Sequence, residues 1–232
     1  MNMQTHNMIS SEYLFAKITP DSDDYFKALQ INADGVDERY CDDVKKTDLW
    51  IKNPNKSTQC IPYGFYKNGN VIGFILFTVF SKEGFIYGDY LSISPKERRI
   101  RAVITFIYLI RAEIDKLYNM PLFFEIATDN PNNTVAARAY KSAGVGLLEC
   151  KHFIPGSNLS NEMIPARMLI YPHRKTIDKN TYSTYLRALF LDDYIASAAS
   201  FLEEEEKKAY TRYVLDIYEN LKDEIPDIIH IT

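Results

Sequence analysis

The sequence predicts an α/β fold of the α+β kind: a central mixed sheet of about seven strands, flanked by helices and followed by a C-terminal helical hairpin. The chain has 232 residues, 46% of them hydrophobic, which is enough for one full core and an appendage. Short runs with strand-like alternation precede Pro95, and helical periodicity follows it. The composition shifts after His173. We therefore expect one domain over residues 1–173 and an acidic helical extension over residues 174–232.

The first third of the chain predicts a strand, two short helices and an antiparallel meander. Residues 13–19 alternate like a half-buried strand, and the residues after Pro20 supply a turn and a helix cap. Apolar residues then recur at helical spacing over 25–51, with a break at Gly35. Three strand-like runs follow, at 60–66, 71–80 and 85–94. The sequence Lys67-Asn-Gly-Asn70 joins the first two runs and is typical of a hairpin turn.

The middle of the chain predicts two helices that alternate with strands. An apolar face marks one helix from just after Pro95 to about Asn119, and residues 122–127 read as a buried strand. A second helix begins at Asn132 or Asn133 and ends at Gly144, which suits a left-handed terminator.

The end of the chain predicts two further strands and then the helical hairpin. The strands cover 147–154 and 166–171 and are separated by a polar loop. Two amphipathic helices follow over 181–202 and 203–225, and the acidic run at 203–206 suits the first turn of the second helix.

One motif in the second helix of the middle segment carries a specific resemblance. The residues Asn133-x-x-Ala136-x-x-x-Tyr140-x-x-x-Gly144-Val145 resemble the N-x-x-A-x-x-x-Y-x-x-x-G-[FV] signature of GNAT-type N-acetyltransferases. The resemblance implies a GNAT-like acyltransferase fold that uses acetyl-CoA as co-substrate. It also implies that Asn133 contacts the pantetheine arm and that Tyr140 protonates the departing thiolate. The alternative is that Asn133 only caps the helix and Tyr140 is only a core aromatic residue.

A cluster of arginines lies where this family has its pyrophosphate loop, which reads [QR]-x-x-G-x-[GA]. Arg98 matches the first position, whereas Arg101 and Val103 replace both glycines, and Arg99 and Ala102 lie between them. The resemblance assigns this stretch to the cofactor. Unsatisfied N–H groups at a helix N-terminus form an anion site, and arginine adds charge for phosphate. The alternative is a set of solvated arginines at a helix start.

Amide formation from a thioester also requires a base and an oxyanion site. Two strand carboxylates are candidates for the base: Glu125, which we favour, and Asp89, which shares a strand face with Tyr87 and Leu91. Each carboxylate is equally well explained as a surface residue of a strand. Backbone N–H groups near Leu91 and Ile93 are the expected donors to the thioester carbonyl.

These features predict an N-acetyltransferase that moves an acetyl group from acetyl-CoA to a primary amine of a small molecule or protein by direct attack in a ternary complex. The family resemblance places the acceptor site in residues 23–53 and 155–166. One alternative is a GNAT-like binding or regulatory module with weakened catalysis, because both loop glycines are missing. Another is transfer of a different acyl group from acyl-CoA.

Charge and composition argue against several other functions. The formal charge is −4, and residues 174–232 hold 12 acidic but only 8 basic residues, so no basic surface for nucleic acid is expected. No apolar run reaches the roughly 20 residues that span a bilayer. The N-terminal residues do not resemble a secretory signal. We expect a cytoplasmic protein without a membrane partner.

Metal sites and disulfides are not expected either. The three cysteines and four histidines show no metal-ligand spacing. The C-terminal helices are expected either to support the core or to mediate a homodimer or partner contact.

Overall fold

A computed structural model describes residues 12–37, 39, 43–129, 133–156, 162–172 and 174–232, and the side chains of residues 133–135 fall outside this description. Some predicted features therefore lie outside the described residues. They include Asn132, the tip of the 155–166 loop and the side chain of Asn133.

The described part of the chain contains an eight-stranded mixed sheet, which confirms the predicted fold class. The strands are β1 (Tyr13–Lys17), β2 (Gln59–Lys67), β3 (Asn70–Phe80), β4 (Phe85–Ile93), β5 (Leu122–Ala127), β6 (Gly146–Leu147), β7 (His152–Pro155) and β8 (Met163–Tyr171). They run in the order β1-β2-β3-β4-β5-β8-β6, and β7 also pairs with β8. Among these described strands, only the β4–β5 pair is parallel.

Four helices lie along the first part of the chain, in the predicted order. They are α1 (Asp23–Gly35), α2 (Val44–Lys52), α3 (Ile100–Leu117) and α4 (Asn133–Ser142). The Ser22 side chain caps α1 by accepting from the Tyr25 N–H at 3.2 Å. Gly144 has φ +75° and ends α4, as predicted for a left-handed terminator.

The predicted strand over 147–154 was wrong as a single element. It forms β6 and β7, which both pair with β8. Between them, the Glu149 N–H donates to the His230 carbonyl at 2.9 Å. The backbone therefore leaves the β8 ladder to bond the C-terminal residues, and the strand is divided.

The C-terminal residues form more than a helical hairpin. The elements are β9 (Thr176–Asp178), α5 (Lys179–Ala188), a π-helical segment (Leu189–Tyr194), α6 (Ile195–Ala198), α7 (Glu204–Asp223) and β10 (Ile228–His230). The helix predicted over 181–202 is present but contains the six-residue π-helical segment and ends at Ala198. Strand β10 pairs with β9 in a separate two-stranded sheet.

Alternation along β5 assigns the helices to the two faces of the sheet. Phe124 and Ile126 belong to a core cluster with residues of α3 and α4. Phe123 points to the opposite face and belongs to a cluster with the C-terminal helices. Glu125 shares the face of Phe123 by the same alternation. The C-terminal residues therefore cover the side of the sheet from which Glu125 projects.

Candidate active site

The parallel strands β4 and β5 separate in the middle of the sheet. They pair only at Ile86 with Leu122 and at Tyr87 with Phe123, although β4 continues for six more residues. The register between β3 and β4 shifts within this stretch, and Tyr90 has φ +48°. The shift gives β4 one extra residue relative to β3, which is a β-bulge and bends the strand away from its neighbour. A cleft therefore opens between β4 and β5.

This cleft contains a cavity of about 290 Å³. Its walls come from β4, β5, the end of α1, the loop before α3, α4, β7 and the C-terminal extension. The lining residues include Gly35, Val36, Asp37, Tyr87, Asp89, Leu91, Ile93, Arg98, Val103, Phe124, Glu125, Ala136, Tyr140, Pro155, Asp193, Tyr194, Ser197 and Tyr210. Most of the predicted site residues thus border one space.

The edge of β4 beside the cavity offers backbone donors. The Ser94 N–H donates to the Ile72 carbonyl of β3 at 2.8 Å. Since successive amides of a strand point to opposite edges, the Ile93 amide is directed toward the cleft, where β5 no longer pairs. Leu91 lies two residues earlier and also lines the cavity. The role of these amides as donors to the thioester carbonyl stays a prediction.

The three arginines at the start of α3 have different surroundings. The Arg98 guanidinium donates to the Ile93 carbonyl at 3.1 Å and to the Gly35 carbonyl at 3.0 Å, so it ties the end of β4 to the end of α1. The side chains of Arg99 and Arg101 are exposed. Their predicted role toward phosphate stays a prediction, whereas Arg98 also has a structural one.

The start of α3 has no capping side chain among the described residues. The N-cap residue is Arg99, whose side chain makes no capping hydrogen bond to the first-turn N–H groups. Ala102 is buried in the core, and Val103 is half-buried beside the cavity. Arg101 stands where the family motif has its first glycine. Because the Arg101 side chain is exposed to solvent, it does not fill the cleft.

Helix α4 brings two residues of the motif to the cavity. Ala136 is half-buried and Tyr140 is 7% exposed, and both line the cavity. The Tyr140 ring packs on Phe124 with its centroid 5.3 Å away, so it lies on the α3 and α4 face of the sheet. Burial raises the pKa of Tyr140, which keeps the phenol protonated.

Glu125 reaches the cavity from the opposite face and is held by three side chains. The Tyr87 hydroxyl donates to Oε2 at 2.5 Å, and the Tyr194 hydroxyl donates to the same oxygen. Nε2 of His152 lies within hydrogen-bond distance of Oε1. The side chains of Glu125 and His152 are 4% and 0% exposed. Glu125 is thus a buried carboxylate behind two tyrosine hydroxyls and does not lie on the surface.

Asp89, the second predicted base, is half-buried and also lines the cavity. Burial raises the pKa of Tyr87 well above its ordinary value, and the charges of Glu125, Asp89 and Asp193 add to the effect. The three carboxylates therefore all raise the pKa of the Tyr87 hydroxyl, and the cavity wall around this hydroxyl is acidic.

The end of α1 closes another wall of the cavity through an ion-pair network. Gly35, Val36 and Asp37 line the cavity. The Arg39 guanidinium contacts Asp37 at 2.7 Å, Asp129 at 2.5 Å and Glu162 at 3.4 Å. Arg39 thus connects three separate loops. Arg39 lowers the pKa of Asp37 and of Asp129.

The overall architecture matches solved structures of one fold. A candidate acetyltransferase of the GNAT family from Bacteroides thetaiotaomicron superposes with a TM-score of 0.58 at 13% identity, over 77% of this chain and 98% of its own. An N-acetyltransferase from Staphylococcus aureus Mu50 gives 0.53 at 19% identity, over 69% and 97%. The chain has the GNAT fold. A mutant form of the spermidine/spermine N-acetyltransferase SpeG from Vibrio cholerae gives 0.52 at 12% identity, over 69% and 94%.

The sequence comparisons add nothing to this fold assignment. No protein-family model and no curated protein sequence matches the chain. Among the described residues, no helix is both long and apolar enough to cross a bilayer, and no group of three or more His, Cys, Asp or Glu residues is arranged to hold a metal ion.

The cavity residues of the C-terminal segment were not predicted from the sequence. Asp193, Tyr194, Ser197 and Tyr210 line the cavity. A signal was present, because Asp193 follows Leu189 by four residues and would therefore interrupt the apolar face of the predicted helix.

The place of His152 in the site was not predicted either, because the four histidines show no metal-ligand spacing and no other role was inferred for His152 from the sequence. It lies two residues before Ile154 in a strand, so both side chains share a face. Both residues are buried. An inward-facing histidine in a strand is the signal that would have predicted a buried polar partner.

Proposed function

We propose that this protein is an N-acetyltransferase that moves the acetyl group of acetyl-CoA to a primary amine by direct attack. The observation that supports the proposal best is the position of Tyr140 and Glu125. They approach one cavity from opposite faces of the sheet, at the place where β4 and β5 separate. A phenol and a carboxylate on two sides of one cleft suit the acid and base of an acyl transfer.

The residues of the cleft fit acetyl-CoA as co-substrate. The uncapped start of α3 and the exposed Arg99 and Arg101 suit the phosphates, with Arg98 and Ala102 in the same stretch. Val103 and Ala136 border the space that suits the pantetheine arm, and the motif assigns Asn133 to the same arm. Acetyl-CoA supplies the acyl group as a reactive thioester. The Leu91 and Ile93 amides would donate to its carbonyl oxygen.

Tyr140 is the proposed acid. Its raised pKa keeps it protonated at neutral pH, so the hydroxyl can give its proton to the sulfur as the C–S bond breaks. Its ring is fixed against Phe124, so the hydroxyl keeps one position in the cavity.

Glu125 is the proposed base, with Asp89 as the second candidate. The buried carboxylate accepts from hydroxyl groups that face the cavity, and through them it can draw a proton from the attacking amine. A general base of this kind contributes roughly 10²–10⁴-fold to a rate. The proposed acceptor is a primary amine of a small molecule or a protein.

Release of CoA thiol in the presence of acetyl-CoA and an amine tests the proposal. The first amine is spermidine, because the SpeG structure with the same fold is described as a spermidine/spermine N-acetyltransferase. The others are a peptide with a free N-terminal alanine and a neutral aromatic amine. We expect amine-dependent thiol release with at least one of them. No release above the amine-free rate with any amine would contradict the proposal.

The two alternatives give different results in the same assay. A binding module without turnover would bind acetyl-CoA but release no thiol. An enzyme for a longer acyl group would release thiol faster from propionyl-CoA or butyryl-CoA than from acetyl-CoA. The cavity of about 290 Å³ accommodates a small acyl group and an amine.

A further inference from the structure

We infer that the π-helical segment of the C-terminal extension supplies Tyr194 as a catalytic residue, which carries the acceptor proton to the buried Glu125. The inference rests on the proposed function, because it specifies how the same site accepts the proton of the amine. It gives the C-terminal extension a part in the reaction. An extension that only supported the core or bound a partner would have no such part.

The contacts of Glu125 occupy both oxygens of its carboxylate. The side chain is 4% exposed, and its two oxygens contact three other side chains. His152 faces Oε1, whereas Tyr87 and Tyr194 both donate to Oε2. An amine in the cavity therefore meets a tyrosine hydroxyl before it meets the carboxylate.

The two tyrosines on Oε2 are not equivalent. Tyr87 is 5% exposed and belongs to the interior of the sheet. Tyr194 is half-buried, and both tyrosines line the cavity. Their hydroxyl oxygens are 3.5 Å apart. Because Tyr194 is the more exposed of the two residues, it is the better placed to touch the acceptor.

The local helix geometry explains why Tyr194 can reach the site. Tyr194 is the last residue of the π-helical segment, which lies between two α-helical stretches, and the wider turn of a π-helix changes the direction of its side chains relative to an α-helix. Phe190 is fully buried and packs edge-on against the Tyr194 ring, with centroids 5.2 Å apart. The ring is thus held in place while the hydroxyl contacts Glu125.

The proposed transfer is balanced in protons and bonds. As the amine nitrogen forms a bond to the acyl carbon, it loses one proton to the Tyr194 oxygen. The Tyr194 O–H proton passes at the same time to Oε2 of Glu125, which becomes a neutral carboxylic acid. The C–S bond breaks and the sulfur takes the Tyr140 proton. Exchange with solvent then restores Tyr140 and Glu125, so the products are the amide and free CoA thiol.

A double-mutant cycle on kcat/KM tests the inference with the amine that gives the fastest thiol release. Tyr194→Phe keeps the ring against Phe190 and removes only the hydroxyl. We expect it to lower kcat/KM by about 10²-fold, and Glu125→Gln by a similar factor. Since the two groups act in series, the double variant should be within about threefold of Glu125→Gln. A product of the two single effects would overturn the inference.

Two controls separate this result from a structural effect. Tyr218 packs on the same Phe190 ring, with centroids 5.9 Å apart, and does not line the cavity, so Tyr218→Phe should leave kcat/KM unchanged. The pH dependence of kcat/KM for Tyr194→Phe should follow that of Glu125→Gln, which a packing defect would not produce. Tyr87→Phe should lower kcat/KM less than Tyr194→Phe does.

The outcomes distinguish this inference from the proposed function. If the full-length protein releases thiol and Tyr194→Phe is as active as the unaltered protein, the inference fails and the proposed function stands. A larger loss in Tyr87→Phe than in Tyr194→Phe also overturns it. If the unaltered protein releases no thiol with any amine, the proposed function fails and this inference fails with it.

Discussion

At the scale of single residues, Tyr140 is where the motif in the sequence and the structure agree most closely. Its ring packs on Phe124, and its side chain borders the cavity. Tyr140→Phe keeps this packing, so we expect kcat to fall by about 10²-fold with acetyl-CoA affinity and melting temperature nearly unchanged. Steady-state kinetics measure kcat, and calorimetry measures the affinity and the melting temperature.

Tyr108→Phe is a suitable control for this variant. The Tyr108 hydroxyl lies on α3 and contacts the Ser142 carbonyl at 3.4 Å, away from the cavity. The substitution removes a tyrosine hydroxyl without touching the site. An unchanged kcat in Tyr140→Phe would remove Tyr140 from the acid role.

The raised pKa of Tyr140 also predicts the response to alkaline pH. A buried phenol loses its proton at a higher pH than the ordinary value of 10.0, so the acid form persists where an exposed tyrosine begins to ionise. We expect kcat at saturating substrate to show no fall between about pH 8 and 10. A fall in this range that is absent in Tyr140→Phe would contradict the assignment.

Sequence patterns predicted the residues on the α4 side of the site better than those around Glu125. Tyr140 and Ala136 belong to one continuous helix, so their relative position follows from spacing alone. His152 and Tyr194 reach Glu125 from elements that are far away along the chain. Their approach depends on tertiary packing and on a π-helical turn, and neither has a local periodic signal.

At the scale of elements, the separation of β4 and β5 creates the site. Alternation and turn residues predicted both strands with nearly correct bounds. The bulge at Tyr90 was not predicted, because it is a mismatch in register between two strands and cannot be seen in either strand alone. The cleft is thus a property of the pairing.

Gly88 allows β4 and β5 to come close just before they separate. A Cβ at this position would lie 2.5 Å from two ring carbons of Phe124. We expect Gly88→Ala to lower the free energy of unfolding by about 1–3 kcal/mol because of overpacking. It should also lower kcat, because Phe124 supports Tyr140. Chemical denaturation and kinetics measure the two effects.

Phe124→Leu provides a matched partner for this substitution. It removes the ring that the new Cβ would contact, so the double variant should lose less stability than the sum of the two single variants. Full additivity of the two losses would show that the Phe124 contact is not the cause.

At the scale of the whole molecule, the C-terminal extension shares a core with the sheet. Phe80, Phe85 and Phe123 of the sheet belong to one cluster with Phe190 and Ile217 of the extension. The change in composition near residue 173 indicated a boundary in the sequence. Composition alone does not show whether the segments on the two sides of a boundary pack on each other. We expect a single calorimetric unfolding transition, because neither part buries this cluster alone. Two resolved transitions would contradict a shared core.

The central claim is that the cleft between β4 and β5 binds acetyl-CoA, and isothermal titration calorimetry with acetyl-CoA tests it most directly. We expect one molecule to bind per chain. Ala136→Trp should abolish binding by filling the cavity wall, whereas Arg138→Trp, at an exposed position of the same helix, should bind normally. No heat and no thermal shift at millimolar acetyl-CoA, or equal binding by Ala136→Trp, would contradict the claim.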